Sequence, residues 1–153
     1  KKNYSEVVAI VTDFRAWDAK NRLLYQAEET LGRAYKSQGK FDEARAVFKQ
    51  VIDDPNGKRT ETAAKAQLMI AETHYLQKDY KSALESYLKV DILYDFPEWQ
   101  APALFQAGAC DEQLGDWPQV VRDYETLIAK FPKSEWAEKA KPLLATAKQK
   151  AKK

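Results

Sequence analysis

The chain has little of what marks a catalytic or metal centre. Among its 153 residues there is one cysteine, Cys110, and one histidine, His74. A single thiol excludes an intramolecular disulfide and leaves the compartment open. One histidine with one distant cysteine falls short of the three or four converging ligands that a metal needs. The five glycines and six prolines are scattered, and no Gly-rich phosphate loop, calcium-loop spacing or zinc motif is formed. Charge of one sign is lacking too. The 25 basic and 23 acidic side chains leave a net charge of +2, so the total shows no nucleic-acid footprint. The longest uninterrupted apolar run is Val7 to Val11, far short of the ~20 residues of a membrane span. An initiator Met and a signal-peptide pattern are both lacking. The expectation is a domain from a longer chain, with a mature form as the alternative.

What the chain does have is a repeat. Leu31-Gly32-Arg33-Ala34-Tyr35, followed by Gly39, Phe41, Ala44 and Phe48, reads as two short helices folded back to back. Aligning Gly32 with Ala71 and Gly108 brings Phe41 to Tyr80 and Trp117, Phe48 to Tyr87 and Tyr124, and Val51 to Val90 and Leu127. The steps are 39 and 37 residues, a period that belongs to solenoids. Gly32 and Gly108 fall inside helices, where a missing side chain permits close approach. Gly39 and Gly115 fall where a helix must stop, and glycine takes the left-handed conformation of such ends without steric cost. Lys78 stands at that place in the second repeat.

The predicted organisation is a single all-α domain over residues 1–153. A leading half repeat spans 3–14, with Val7, Val8 and Val11 on one face. Repeats follow at 16–57, 58–96 and 97–133, and a capping helix closes the array at 134–153. The stretch Asp13-Phe14-Arg15-Ala16-Trp17 is read as the counterpart of Asp95-Phe96-Pro97-Glu98-Trp99. Asp79, Asp116 and Ser134 are expected helix caps. A kink or restart is expected at Pro142, and Trp136, Ala140, Leu143, Leu144 and Ala147 are expected to cover the open end of the stack. Six lysines and no acid follow from Lys139 onward. They read as a solvated helix end, with a polyanion contact as the sharper alternative.

Few other residues suggest chemistry. His74 and Cys110 read as packing residues, the latter an inert thiol. Asp53-Asp54 sits in a turn. Asp111 and Glu112 are adjacent in a helix, so their side chains diverge by about 100° and cannot share a substrate atom. Trp17, Trp99, Trp117 and Trp136 fall near helix junctions and read as packing at seams between repeats.

The repeats resemble tetratricopeptide repeats, whose pattern is W-x2-L-G-x2-Y, then A-x3-F, then P. Leu31-Gly32-x2-Tyr35, Ala44-x3-Phe48 and Pro55 match it, with Glu28 at the Trp position. The second repeat matches through Ile70, Ala71, Ala83 and Tyr87, with His74 at the Tyr position. The third matches through Gly108, Gly115, Tyr124 and Pro132, with Asp111 and Val120 as departures. The resemblance implies an α-solenoid of antiparallel helix pairs wound into a right-handed superhelix. It implies a non-catalytic scaffold for protein–protein interaction, binding a peptide or protein segment on its concave face without a cofactor or metal. The long period and the Phe131-Pro132-Lys133-Ser134 junction resemble the variant found in bacterial envelope proteins. Those include the periplasmic partner of the Tol–Pal system and outer-membrane assembly lipoproteins, so the periplasm or envelope is favoured over the cytoplasm. The alternative function is a spacer or oligomerisation module of such a protein, self-associating through the solenoid ends. Carrying the family's groove positions onto this sequence gives Arg33, Lys36, Leu68, Glu72, Tyr75, Leu76, Phe105 and Glu112 as partner-binding residues. In this reading Leu68, Tyr75, Leu76 and Phe105 are apolar groups that the core does not use.

Overall fold

The computed structural model of the protein describes residues 4–152; Lys1, Lys2, Asn3 and Lys153, assigned above to the ends of the array, lie outside them. Eight α-helices follow one another among the described residues, with no strand: α1 Tyr4–Trp17, α2 Leu24–Ser37, α3 Phe41–Asp53, α4 Glu61–Leu76, α5 Tyr80–Leu93, α6 Pro97–Leu114, α7 Trp117–Lys130 and α8 Glu135–Lys150. Each helix packs on the next. The even helices also touch one another in series, α2 on α4, α4 on α6 and α6 on α8, whereas no two odd helices meet. Helices that approach on one side only must curve the stack, so α2, α4, α6 and α8 line its concave side.

The turns follow from local chemistry. Gly39 and Gly115 adopt left-handed backbone with φ of +74° and +78°. Lys78 takes the same turn at φ +63°, where a side chain costs about 1–2 kcal/mol. Asp79, Asp116 and Ser134 each accept a hydrogen bond from the backbone N–H three residues on, at 3.1–3.2 Å. Thr60 caps α4 in the same way through the N–H of Ala63, at 3.2 Å. The Asp54 carboxylate accepts from the backbone N–H groups of Asn56 and Gly57, at 2.7 and 3.0 Å, and so fixes the turn after α3.

Close approach explains the two helical glycines. A Cβ on Gly32 would lie 2.5 Å from the Phe48 ring, and one on Gly108 would lie 2.4 Å from the Tyr124 ring. In the second hairpin Ala71 and Tyr87 are both buried. The core is therefore strung along the axis as separate clusters, one around Phe48 and Val51, one around Tyr87 and Val90, and one around Tyr124 and Leu127.

Three expectations are corrected. The segment from Asp13 to Trp17 does not leave the helix as Asp95 to Trp99 does; α1 continues to Trp17. Pro97 excludes helical backbone at the residue before it and restarts a helix, and Arg15 in the supposed counterpart does neither. Instead Val7, Val11 and Phe14 repeat the spacing of Ala44, Phe48 and Val51, which makes α1 a second-type helix in register with α3. Trp17 does not pack at a seam but is 79% exposed, touching only Phe14 among aromatic rings. At Pro142 α8 runs on without a restart. Pro142 and Glu138 are both exposed, so the carbonyl that loses its helical partner faces water. Glu28, at the position where the family carries Trp, is buried and held by Arg15 at 2.9 Å. Its carboxyl is pushed upward by burial, against the pull of the Arg15 charge.

The lysine-rich end is largely tied down. Lys139 pairs with Glu135, Lys141 with Glu138 and Lys148 with Glu125, at 2.6–2.7 Å. Lys150 lies 3.8 Å above the Trp117 ring.

Candidate functional site

The concave side brings together four of the eight residues expected to bind a partner. Lys36 leaves the last turn of α2 and forms an ion pair with Glu72 of α4. Its ammonium also lies 3.4 Å from the sulfur of Met69. One turn further along α4 come Tyr75 and Leu76. With Tyr87 from α5 and Gln106 from α6, these side chains line a cleft of about 240 Å³. Leu76 is 57% exposed at its edge. Tyr75 is half-buried, edge-on to Tyr80 with ring centroids 5.4 Å apart. Burial raises the pKa of its hydroxyl first, and the neighbouring Cys110, Tyr80 and Glu112 add to that. The Tyr87 hydroxyl is raised further, again by burial, with the Glu72 charge second.

The cleft offers an apolar lip, a charge pair and neutral polar groups in one place. That mixture suits a peptide, which brings side chains and unsatisfied main-chain groups together. A volume of this size takes one large side chain at a time.

The other four expected residues lie elsewhere. Arg33 is on the same side of the stack, a turn back along α2, 3.9 Å from Glu29. Buried Glu29 also takes Lys65 of α4, at 3.2 Å. Leu68 is a core residue, 6% exposed and packed with Ala71, Tyr87, Ala103 and Ala107. The curve of the stack brings α6 onto α4, and Leu68 lies under that contact. Phe105 is likewise used by the core. It packs against Tyr124 and Trp136, at 5.8 and 5.2 Å between centroids, and joins α6 to α7 and α8. Glu112 is half-buried and accepts a hydrogen bond from the Tyr124 hydroxyl at 2.8 Å. Tyr75 also packs against the Tyr87 cluster, so of the four apolar groups held to be spare, only Leu76 is largely free.

Tyr87 and Gln106 were missed as lining residues. Tyr87 belongs to the core pattern and is almost wholly buried, though it lines the cleft. Gln106 directly follows Phe105, an expected groove residue of α6, so widening that face by one position finds it.

The remaining candidates are structural. His74 is half-buried and lies 3.5 Å from Asp79. Its imidazole pKa is lowered by burial first and by Arg45 next, with Asp79 opposing. Cys110 is buried, and burial followed by the charges of Asp111 and Asp123 pushes its thiol up to about 12. Such a thiol is protonated at neutral pH and a poor nucleophile. Among the described residues no group of three or more potential metal-binding side chains converges, and no helix is long and apolar enough to cross a membrane.

Comparison with known proteins agrees with this geometry. Models of the tetratricopeptide repeat match residues 29–96 and 102–134, together most of the chain. No match was found among curated proteins. A solved tetratricopeptide repeat protein from Parabacteroides merdae ATCC 43184 is similar in fold, with a TM-score of 0.69 at 19% identity. The similarity covers 99% of this chain and 63% of that one, so the present chain spans less than two thirds of that protein's length. Three hairpins in one register, glycine beneath an aromatic ring in the first and third, and the two matched segments lead to one assignment: the chain belongs to the tetratricopeptide repeat family.

Proposed function

We propose that this protein is a non-catalytic scaffold that holds a peptide or protein segment in the concave cleft bounded by Lys36, Glu72, Tyr75 and Leu76. Tetratricopeptide proteins as a class act as protein-interaction scaffolds and are generally without catalysis. The observation that carries the reading is the convergence of α2, α4, α5 and α6 on one cleft with an exposed leucine at its edge. Leu76 is the anchor, because it offers apolar area that packing within the chain leaves uncovered. Lys36 and Glu72 set the register of the bound segment, since each can exchange its partner for a ligand charge.

The test uses peptides selected from a displayed random library on the immobilised protein. A selected peptide is titrated against Leu76→Ala and against Ile92→Ser, which alters a side chain 74% exposed on α5. Leu76→Ala should weaken binding by about 1–2 kcal/mol, as anchors commonly do. Ile92→Ser should leave it unchanged. The reverse pattern, or no selectable peptide, counts against the cleft.

A second reading, a spacer or self-associating module of a larger bacterial envelope protein, draws support from the other end of the stack. Ile10 and Trp17 are 60% and 79% exposed on α1. Sedimentation should then show concentration-dependent association that Trp17→Ser reduces. A chain that stays monomeric at the highest concentrations speaks for the scaffold alone.

A further inference from the structure

The third hairpin holds a pair of acids that packing alone does not explain. Asp111 on α6 is 2% exposed and Asp123 on α7 is 5% exposed, and the two carboxyl groups are close enough to couple electrostatically. Gln119 donates its amide to Asp123 Oδ1 at 2.8 Å. The Oδ2 atoms of both aspartates are buried and have no hydrogen-bond partner. Two ionised carboxylates are acceptors only and cannot bond to one another. A single proton placed between them satisfies both, whereas its loss leaves two buried negative charges in contact.

We infer that Asp111 and Asp123 share one proton in the folded chain and act as a pH-sensitive latch between α6 and α7, closed in acid and strained in alkali. This inference is independent of what the concave cleft binds.

The surroundings favour retention of the proton. Asp111 is pushed up to about 7, by burial first, then by its bond to Asp123 and the charges of Asp123 and Asp116, with Arg122 opposing. Asp123 is raised by burial, against the hydrogen bonds from Asp111 and Gln119 and the charge of Arg122. The Arg122 guanidinium is engaged by Gln119 Oε1, at 2.8 Å from Nε, and forms no ion pair with either acid. On the α5 side the groups around neighbouring Cys110 are apolar or phenolic: Tyr80, Ala83, Leu84 and Tyr87. From α4, Leu68, Ala71 and Tyr75 join the same cluster. On the α8 side α7 meets Ala140, Leu143, Leu144 and Ala147. The cations of α8 nearest α7 are occupied, Lys148 by Glu125 and Lys150 by the Trp117 ring.

The sign of the linkage is unusual for an acid. A carboxyl whose pKa is raised on folding gives stability that is complete below its unfolded value near 4. That stability is lost as pH rises through the folded value, about 7 for Asp111. His74, with a lowered pKa, contributes in the opposite sense. A wild-type pH profile alone therefore mixes the two, and substitution separates them.

The test is thermal unfolding of wild type, Asp111→Asn and Asp123→Asn from pH 5 to 8.5. Either amide supplies permanently the donor that the proton supplies in acid. Each variant should exceed wild type at pH 8.5 by about 3 °C or more in Tm. The advantage should shrink or reverse at pH 5. Variants whose Tm runs parallel to wild type at every pH, or lies below it at pH 8.5, overturn the latch. Should neither variant fold, carboxyl 13C titration of the wild-type protein decides. One aspartate titrating near neutrality supports the shared proton, and titration of every aspartate below pH 5 refutes it.

Discussion

Tyr124→Ala is expected to cost about 3–5 kcal/mol, the range for removing a large aromatic ring from a core. The side chain is 1% exposed. Its ring lies over Gly108, where even a Cβ would intrude at 2.4 Å. Leu104, Val120, Leu127 and Ala140 belong to the same buried cluster. Helices α6 and α7 cannot close the resulting space by sliding, because Phe105 and Trp136 fix α6 against α8. Truncation also removes the hydroxyl that donates to Glu112 at 2.8 Å. Tyr124→Phe separates the two contributions. It keeps the ring and should cost only about 0.5–1.5 kcal/mol, the usual net worth of one hydrogen bond. Urea unfolding of both variants checks this. A loss below about 1 kcal/mol for Tyr124→Ala, well under the range for such truncations, would mean that the hairpin is not held by this ring.

Removing α8 should be more damaging still. Truncation before Ser134 uncovers the side of the third hairpin against which Ala137, Ala140 and Ala147 are buried, and on which Trp136, Leu143 and Leu144 pack. Phe105, Val121 and Ile128 would lose cover with it. A terminal unit of a solenoid without a polar outer surface is prone to associate. The truncated chain is expected to aggregate or self-associate, seen by light scattering, and to melt well below the full chain. A truncated protein that is monomeric and equally stable would show that α8 is dispensable.

Much of the scaffold was legible because its logic is local. Caps at Asp79, Asp116 and Ser134, and glycine at the ends of α2 and α6, depend on a few neighbouring residues. The pairing of Gly32 with Phe48 and of Gly108 with Tyr124 was legible as a repeat, though not as a ring seated on a glycine. The cleft was less legible, since it depends on the curvature of the whole stack. Helical spacing places Leu68 and Phe105 on the inner side of their helices, and this is where they are. Whether an inner residue meets a ligand or the next helix depends on how tightly α4, α6 and α8 approach. Leu68 and Phe105 meet helices; Leu76, past the end of that contact, meets solvent. The acid pair is hidden in the sequence for a different reason. Asp111 stands beside Glu112, which points elsewhere, while its partner lies on the following helix. One signal was present: Asp123 occupies the place of Val47 in the first hairpin, and Asp111 stands where Tyr35 does. Two acids at positions otherwise filled by larger or less polar groups mark a site worth pairing.

The unlike ends of the stack make the molecule directional. The outward side of α8 carries Glu138, Lys141, Pro142 and Gln149, all exposed, whereas α1 presents Ile10 and Trp17. A hairpin grafted ahead of α1 would bury apolar area already in place, at about 25 cal/mol per Å². One grafted after α8 would first have to strip water from charged side chains. For an engineer extending this solenoid, the amino-terminal end is the growing point and the carboxy-terminal end is the stop.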